Sequence, residues 1–131
     1  MRALPDKVKK MLGKKAFAHL ATLMPDGSPQ VSAVWVDVDG DTILVNSAEG
    51  RLKDKNLKAD KRVALSIIDP DNPYQSATIR GRVTEITNNG ADAHIDKMAK
   101  KYMGKDTYPY RTPTEKRVLY KIQADKVSTM G

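Results

Sequence analysis

Two aspartate–glycine turns fall close together early in the chain. Asp26-Gly27 sits in P-D-G-S-P and Asp39-Gly40 in D-G-D, and the run between them, Q-V-S-A-V-W-V-D-V, is rich in β-branched residues. Asp-Gly supplies the positive-φ position that a tight hairpin turn requires. A-F-A-H-L-A-T-L-M before the first turn and T-I-L-V after the second are apolar and of strand length. The pattern predicts three antiparallel strands over Ala16–Met24, Gln30–Val38 and Thr42–Val45. Along the middle strand Val31, Ala33 and Trp35 share one face, with Ser32, Val34 and Val36 on the other.

The rest of the chain adds strands faster than helices. Residues 5–13 read as a short amphipathic helix with Val8, Met11 and Leu12 on one side. A basic helix is expected over Gly50–Ala59, then a strand over Val63–Ile68 stopped by D-P-D-N-P. Ser76–Ile86 is a fifth strand, in which Gly81 signals a bulge or sharp bend. T-N-N-G precedes a helix over Ala91–Tyr102, Gly104–Thr114 is irregular, and Lys116–Gln123 is the last strand. Six strands with so few helices between them cannot form a doubly wound parallel sheet. They suit a mainly β chain, a small antiparallel barrel with a few short helices. At 131 residues, residues 1–131 form a single expected domain.

Charge and composition narrow the chemistry. A formal net charge of +7 attracts polyanions: nucleic acid, an acidic membrane surface or a multiply charged cofactor. Single-strand binders stack bases on several aromatics along a basic groove, and one Trp, one Phe and five Tyr make a sparse set. Nucleic acid is therefore not the expected partner. Without cysteine there is no disulfide, thiolate metal site or Cys nucleophile, which fits a reducing compartment. No window approaches the roughly 18 apolar residues of a membrane span, and the N-terminus lacks a signal-peptide core. A soluble, cytoplasmic protein is expected, with no membrane partner. His19 and His94 are the only imidazoles, and each is expected to be a satisfied, buried or half-buried ring. No metal-ligand spacing, G-x-S-x-G, P-loop or G-x-G-x-x-G occurs. An enzyme of this composition needs a cofactor to carry its chemistry.

The segment E-G-R-L-K-D-K-N-L-K-A-D-K-R, residues 49–62, follows the strand T-I-L-V-N-S. Unpaired N–H groups at a helix start, a forked Arg51 and the point charge of Lys53 together suit a phosphate, with Asn56 a turn further on. Asn46 or Ser47 is placed to cap the helix or donate a hydrogen bond. The competing reading is a solvated face, with Asp54 and Lys58 spaced as an i,i+4 pair. Trp35 is either core or interface, or a wall for a flat ring.

The run L-A-T-L-M-P-D-G-S-P-Q-V-S-A-V-W-V resembles the opening hairpin of the pyridoxamine phosphate oxidase-like flavin-binding split-barrel superfamily. R-L-K-D-K-N-L resembles its phosphate-binding segment. D-P-D-N-P-Y, I-R-G-R-V-T-E-I and Y-P-Y-R-T-P-T-E-K-R-V-L-Y-K-I are similar to its F420-dependent oxidoreductase branch. The resemblance spans about Ala16–Val127. It implies a six-stranded antiparallel split barrel forming a two-fold homodimer, with cofactor sites at the interface. It implies coenzyme F420, or FMN in the alternative, with the phosphate on Arg51 and Lys53 and Asn56 close by. Ser32, Ala33, Val34 and Trp35 would line the ring or ribityl chain, with Asn46 and Ser47 along the same channel. Tyr74, Gln75 and Tyr108–Arg111 would stand at the mouth or across the interface. Gln75 replaces an Arg common in that branch. The implied activity is hydride transfer from reduced deazaflavin to an unsaturated small-molecule acceptor; the alternatives are an FMN oxidoreductase or a non-catalytic F420 carrier. Nothing resembles the substrate-phosphate clamp of a true pyridoxamine phosphate oxidase, and the C-terminal segment of those enzymes is absent, so that activity is not expected.

Overall fold

The computed structural model describes residues 3–131. Its elements run α1 (Asp6–Gly13), β1 (Phe17–Leu23), β2 (Pro29–Trp35), β3 (Asp37–Asp39), β4 (Thr42–Ala48), α2 (Leu52–Ala59), β5 (Arg62–Asp69), β6 (Asn72–Thr87), α3 (Ala91–Met103) and β7 (Arg117–Met130). The strands form one seven-stranded sheet, ordered β2-β1-β5-β6-β7-β4-β3, in which every pairing is antiparallel.

One covalent fact forces the sheet to curl. β2 and β3 lie at its opposite edges, yet only Val36 separates them. Two residue steps span at most about 7 Å. Six gaps of about 4.8 Å would hold the edges of a flat sheet roughly 29 Å apart. The sheet therefore closes on itself into a split barrel, with a seam between the β2 edge and the β3–β4 wall. The expected six strands become seven because Gln30–Val38 breaks at Val36. Its first part pairs with β1 (Ala18↔Val34) and its last with β4 (Val38↔Ile43).

At the break, Val36 is fully buried and its peptide groups have left both ladders. Side chains of α3 satisfy them. Val36 N–H donates to the Tyr102 hydroxyl at 3.0 Å, and Lys101 Nζ donates to Val36 O at 2.7 Å. Lys101 also donates to Leu12 O at 2.7 Å, and the Tyr102 hydroxyl to Ala16 O at 2.6 Å. These bonds tie α1, the start of β1 and the seam to one helix. Buried backbone groups must find such partners, since an orphan costs about 1–3 kcal/mol.

Inside the barrel, Leu20, Ile43, Leu57, Leu65, Ile67, Ile79, Tyr120 and Ile122 are each buried. Val8, Met11 and Leu12 of α1 join this core, on the side that the sequence predicts. α3 packs outside instead, where Ala91 meets Leu44 of β4 and Leu119 of β7. β6 begins at Asn72 rather than Ser76, and β7 continues past Gln123 to Met130.

The β6–β7 ladder shifts register between Arg80 and Gly81, with Asp125 of β7 the extra, unpaired residue, so the bulge expected at Gly81 lies on the strand opposite it. A Cβ on Gly81 would lie 2.1 Å from Gln123 O. Gly81→Ala should therefore destabilise the fold by about 1–3 kcal/mol or more. Gly13→Ala, where a Cβ meets nothing within 4 Å, should be neutral or slightly stabilising. Urea unfolding of the two variants checks the contrast.

Candidate functional site

The seam opens into a cleft of about 210 Å³. Ala33, Val34 and Trp35 form one wall from β2. Asn46 of β4 and Arg117 of β7 form the other. Arg51 and Lys53 enter from the start of α2, and Tyr108 and Tyr110 from the loop after α3. Six of the expected cofactor residues thus meet in one place: Ala33, Val34, Trp35, Asn46, Arg51 and Lys53.

The structure puts the other four elsewhere. Asn56 is buried beneath β1, where Nδ2 donates to Thr22 Oγ1 at 3.0 Å and to Met24 Sδ at 3.4 Å. The hydroxyls of Ser32 and Ser47 are buried without a hydrogen-bond partner, and neither residue lines the cleft. Gln75 lies near Gly131, at the start of β6. Its neighbour Tyr74 is 82% exposed. His19 is exposed on β1 rather than buried; His94 is buried.

The basic helix divides its charges among separate tasks. Neither Asn46 nor Ser47 caps it; the N-cap is Arg51, and no side chain bonds there. Asp54 steadies the junction instead. It accepts from Gly50 N–H at 3.0 Å and from the Tyr120 hydroxyl at 2.7 Å, and pairs with Lys58 at 3.0 Å. Burial and the Asp54 carboxylate push the Tyr120 hydroxyl well above its ordinary value. Lys61 donates to the carbonyls of Leu57 and Lys58 at the end of the helix, and Arg62 pairs with Asp60. Arg51 and Lys53 are the charges that face the cleft.

Arg117 makes a third cation there, and the sequence did not single it out. Its position next to the exposed Lys116 at the head of a strand carries no signal of inwardness. Its guanidinium is fixed on several sides: Nε donates to Asn46 Oδ1 at 2.9 Å, Nη1 pairs with Glu115, and its face lies 5.1 Å from the Tyr108 ring centre. Glu115 also stands 3.9 Å from Arg51 Nη2. Lys53 has no carboxylate partner among the described residues. Burial, then the guanidinium groups of Arg51 and Arg117, push its ammonium below the ordinary value. Three cations around one carboxylate leave the cleft short of negative charge, the condition an incoming anion relieves.

Aromatic rings flank this charge. Trp35 stacks on Tyr102 with centres 5.1 Å apart and 3° between planes, and meets Tyr108 edge-on at 6.2 Å. The loop that carries Tyr108 and Tyr110 is stapled to α3. Tyr108 N–H donates to Asp96 at 2.8 Å, and Arg111 pairs with Asp92 at 3.0 Å and Asp96 at 2.6 Å. Arg111 thus serves the loop, while the two tyrosines reach the cleft.

Comparison with known proteins agrees with this architecture. The family model described as pyridoxamine 5'-phosphate oxidase matches residues 4–131. The chain belongs to the pyridoxamine 5'-phosphate oxidase family. A solved F420 reductase is 34% identical to it, with a TM-score of 0.83 over 95% of this chain and 98% of that one. A conserved hypothetical protein from Mycobacterium tuberculosis is 21% identical, with a TM-score of 0.74 over 99% of this chain and 86% of that one. General stress protein 26 from Bacillus anthracis is 14% identical, with a TM-score of 0.69 over 95% and 92%. These last two share the fold. Among the described residues, no helix of this family member is long and apolar enough to cross a membrane.

Behind the cleft, Asp37 is buried. Burial alone would raise its carboxyl, but hydrogen bonds from His94, Lys97 and the Val38 N–H outweigh it and hold the group well below the usual range. A carboxyl depressed in the folded state stabilises fully above the unfolded value, near about pH 4, and loses that contribution as pH falls further. On acidification from about pH 5 to pH 2, the wild type should lose more stability than Asp37→Asn. Urea midpoints across that range check the sign.

Proposed function

We propose that the cleft binds the phosphate and ring of coenzyme F420, and that the protein is an F420-dependent oxidoreductase acting on an unsaturated small molecule. One observation carries the reading. Arg51, Lys53 and Arg117 converge, short of counter-charge, beside an aromatic wall. A phosphate supplies the missing negative charge, and Arg forks onto it with charge-assisted bonds. The 34% identity to an F420 reductase favours the deazaflavin over FMN. So does the surplus positive charge of +7, since F420 is the more anionic cofactor. Bound in reduced form, F420 supplies a hydride from C5 to the acceptor.

The chain's own residues bind, orient and shield. Arg51 and Lys53 hold the phosphate at the start of α2. Ala33, Val34 and Trp35 present a mostly apolar strand edge to the ring. Tyr108 and Tyr110 cover the mouth and exclude water. Asn56 ties the helix to β1 from beneath.

The protein would work as a cytoplasmic homodimer. A cleft of about 210 Å³ is smaller than the roughly 300–1,000 Å³ typical of cofactor sites, so a second chain would complete it. Val31 and Phe17, 62% and 54% exposed, lie on the outer face of β2 and β1 beside Ala33. This apolar face suits a second copy, which would also bring Tyr74 and Gln75 towards the cofactor.

Trp35 is the only tryptophan and lines the cleft, so its fluorescence should be quenched saturably by F420 and more weakly by FMN. The double variant Arg51→Ala, Lys53→Ala should lose at least about tenfold in affinity, since each charged phosphate contact is worth about 1.5–3 kcal/mol. Unchanged affinity would remove the phosphate from this site, and a preference for FMN would change the cofactor. Reduced F420 should be oxidised when an acceptor is supplied. Tight binding without oxidation by any of a panel of acceptors would make the protein a carrier.

A further inference from the structure

A line of hydrogen bonds runs from a buried acid to the wall of the cleft. Asp37 Oδ2 lies 3.0 Å from both Lys97 Nζ and His94 Nε2. On the far side of the ring, His94 Nδ1 lies 3.1 Å from Asn46 Nδ2. The same amide nitrogen donates to Ala91 O at 2.8 Å, and Asn46 Oδ1 accepts from Arg117 Nε at 2.9 Å. The groups arise on β3, α3, β4 and β7 in turn.

The chemistry allows one arrangement of protons along this line. Asp37 is ionised and can only accept, so His94 Nε2 carries the proton and Nδ1 is the acceptor. Nδ1 then requires an N–H from Asn46, as does Ala91 O. The carboxamide oxygen is left facing Arg117. Flipping the amide would set its NH2 against the Arg117 N–H and its oxygen against two acceptors. His94 therefore decides which way Asn46 points. Arg117, 5% exposed, is held by Asn46 at Nε, by Glu115 at Nη1 and by Tyr108 on its face. Its Nη2 has no hydrogen-bond partner among the described residues. A guanidinium held in this way loses little freedom on binding an anion.

We propose that His94, anchored by Asp37, is a positioning residue that sets the carboxamide of Asn46 and thereby aims Nη2 of Arg117 at the phosphate of the bound cofactor. The proposal rests on the reading of the cleft as a cofactor site. Arg117 touches the anion; His94 and Asp37 act through it. The charged groups around His94 are Asp37 from β3, Lys97 and Lys101 on α3, and Arg117 beyond Asn46.

Two pairs of probes separate phosphate from ring: F420 with its phosphate-free deazaflavin riboside, and FMN with riboflavin. By Trp35 quenching, His94→Leu should weaken the phosphate-bearing member about tenfold and the other less than about twofold. In an Arg117→Ala background the same change should add almost nothing, because the two residues act as one unit. Equal weakening of both members, or additive effects, would make His94 merely structural and overturn the proposal. A second readout needs no cofactor. The Arg117 Nε–H should give a protected 15N signal, assigned by its loss in Arg117→Ala, and His94→Leu should shift or abolish it. An unmoved signal overturns the link whatever the binding shows. If the wild type binds none of the four probes, the cleft reading fails and Arg117 loses its proposed target, while the Nε–H signal still decides whether His94 sets Arg117. Should His94→Leu not fold, His94→Phe replaces it: its ring fills similar space but offers Asn46 no acceptor, so the Nε–H signal must move there too, and a signal that stays put refutes the relay.

Discussion

Everything in this fold answers to the single residue that separates β2 from β3. A chain that pairs with one edge of a sheet and, after Val36, with the other leaves the sheet no option but to curl. Closure is incomplete at that point, because Val36 cannot hydrogen-bond to either ladder while it crosses. Tyr102 and Lys101 take its peptide groups, and so the helix that carries them must lie over the seam. The cleft is the remainder of the same seam, where the two edges have parted and side chains fill the gap. Closure of the barrel and placement of the site share one geometric cause.

α3 links the two. One end of the helix satisfies the backbone at the crossing through Lys101 and Tyr102. Its first turns face β3 and β4 with His94, and hold the tyrosine loop through Asp92 and Asp96. α2 supplies Arg51 and Lys53 on one side while Asp54 and Leu57 root it in the core. The cations are thus mounted on elements rooted in the core, with the Arg117 guanidinium already fixed and the Arg51 side chain half-exposed.

Much of this was legible in the sequence, for local reasons. The two Asp-Gly turns announce the meander because tight hairpins need positive φ, and Gly81 marks a bulge because a Cβ there would strike a carbonyl. The break at Val36 was hidden, since V-W-V-D-V is a mostly β-branched and aromatic run with no Gly or Pro in it, and a change of pairing partner leaves no trace in the pattern. Asn56 read as a cleft residue because helix spacing gives its distance from Lys53 and not the roll of the helix, which turns it under Thr22. Arg117 was missed for the opposite reason. Alternation separates it from Lys116, but whether the inward side meets core or cleft depends on a loop folding over from elsewhere. His19 and His94 looked equivalent; their difference lies in Asp37, which is distant from His94 in sequence. The polar tail of β7 lacks an apolar period, so its last residues gave no strand signal.

Glu115 gives the cleft a property of its own. Its carboxylate sits between Arg117 and Arg51, so the cleft carries its own counter-ion. Any anion that entered would meet this fixed negative charge as well as the three cations, and its affinity would be the balance of the two. The carboxylate that fixes Arg117 thus sets a ceiling on how tightly an anion could be held beside it.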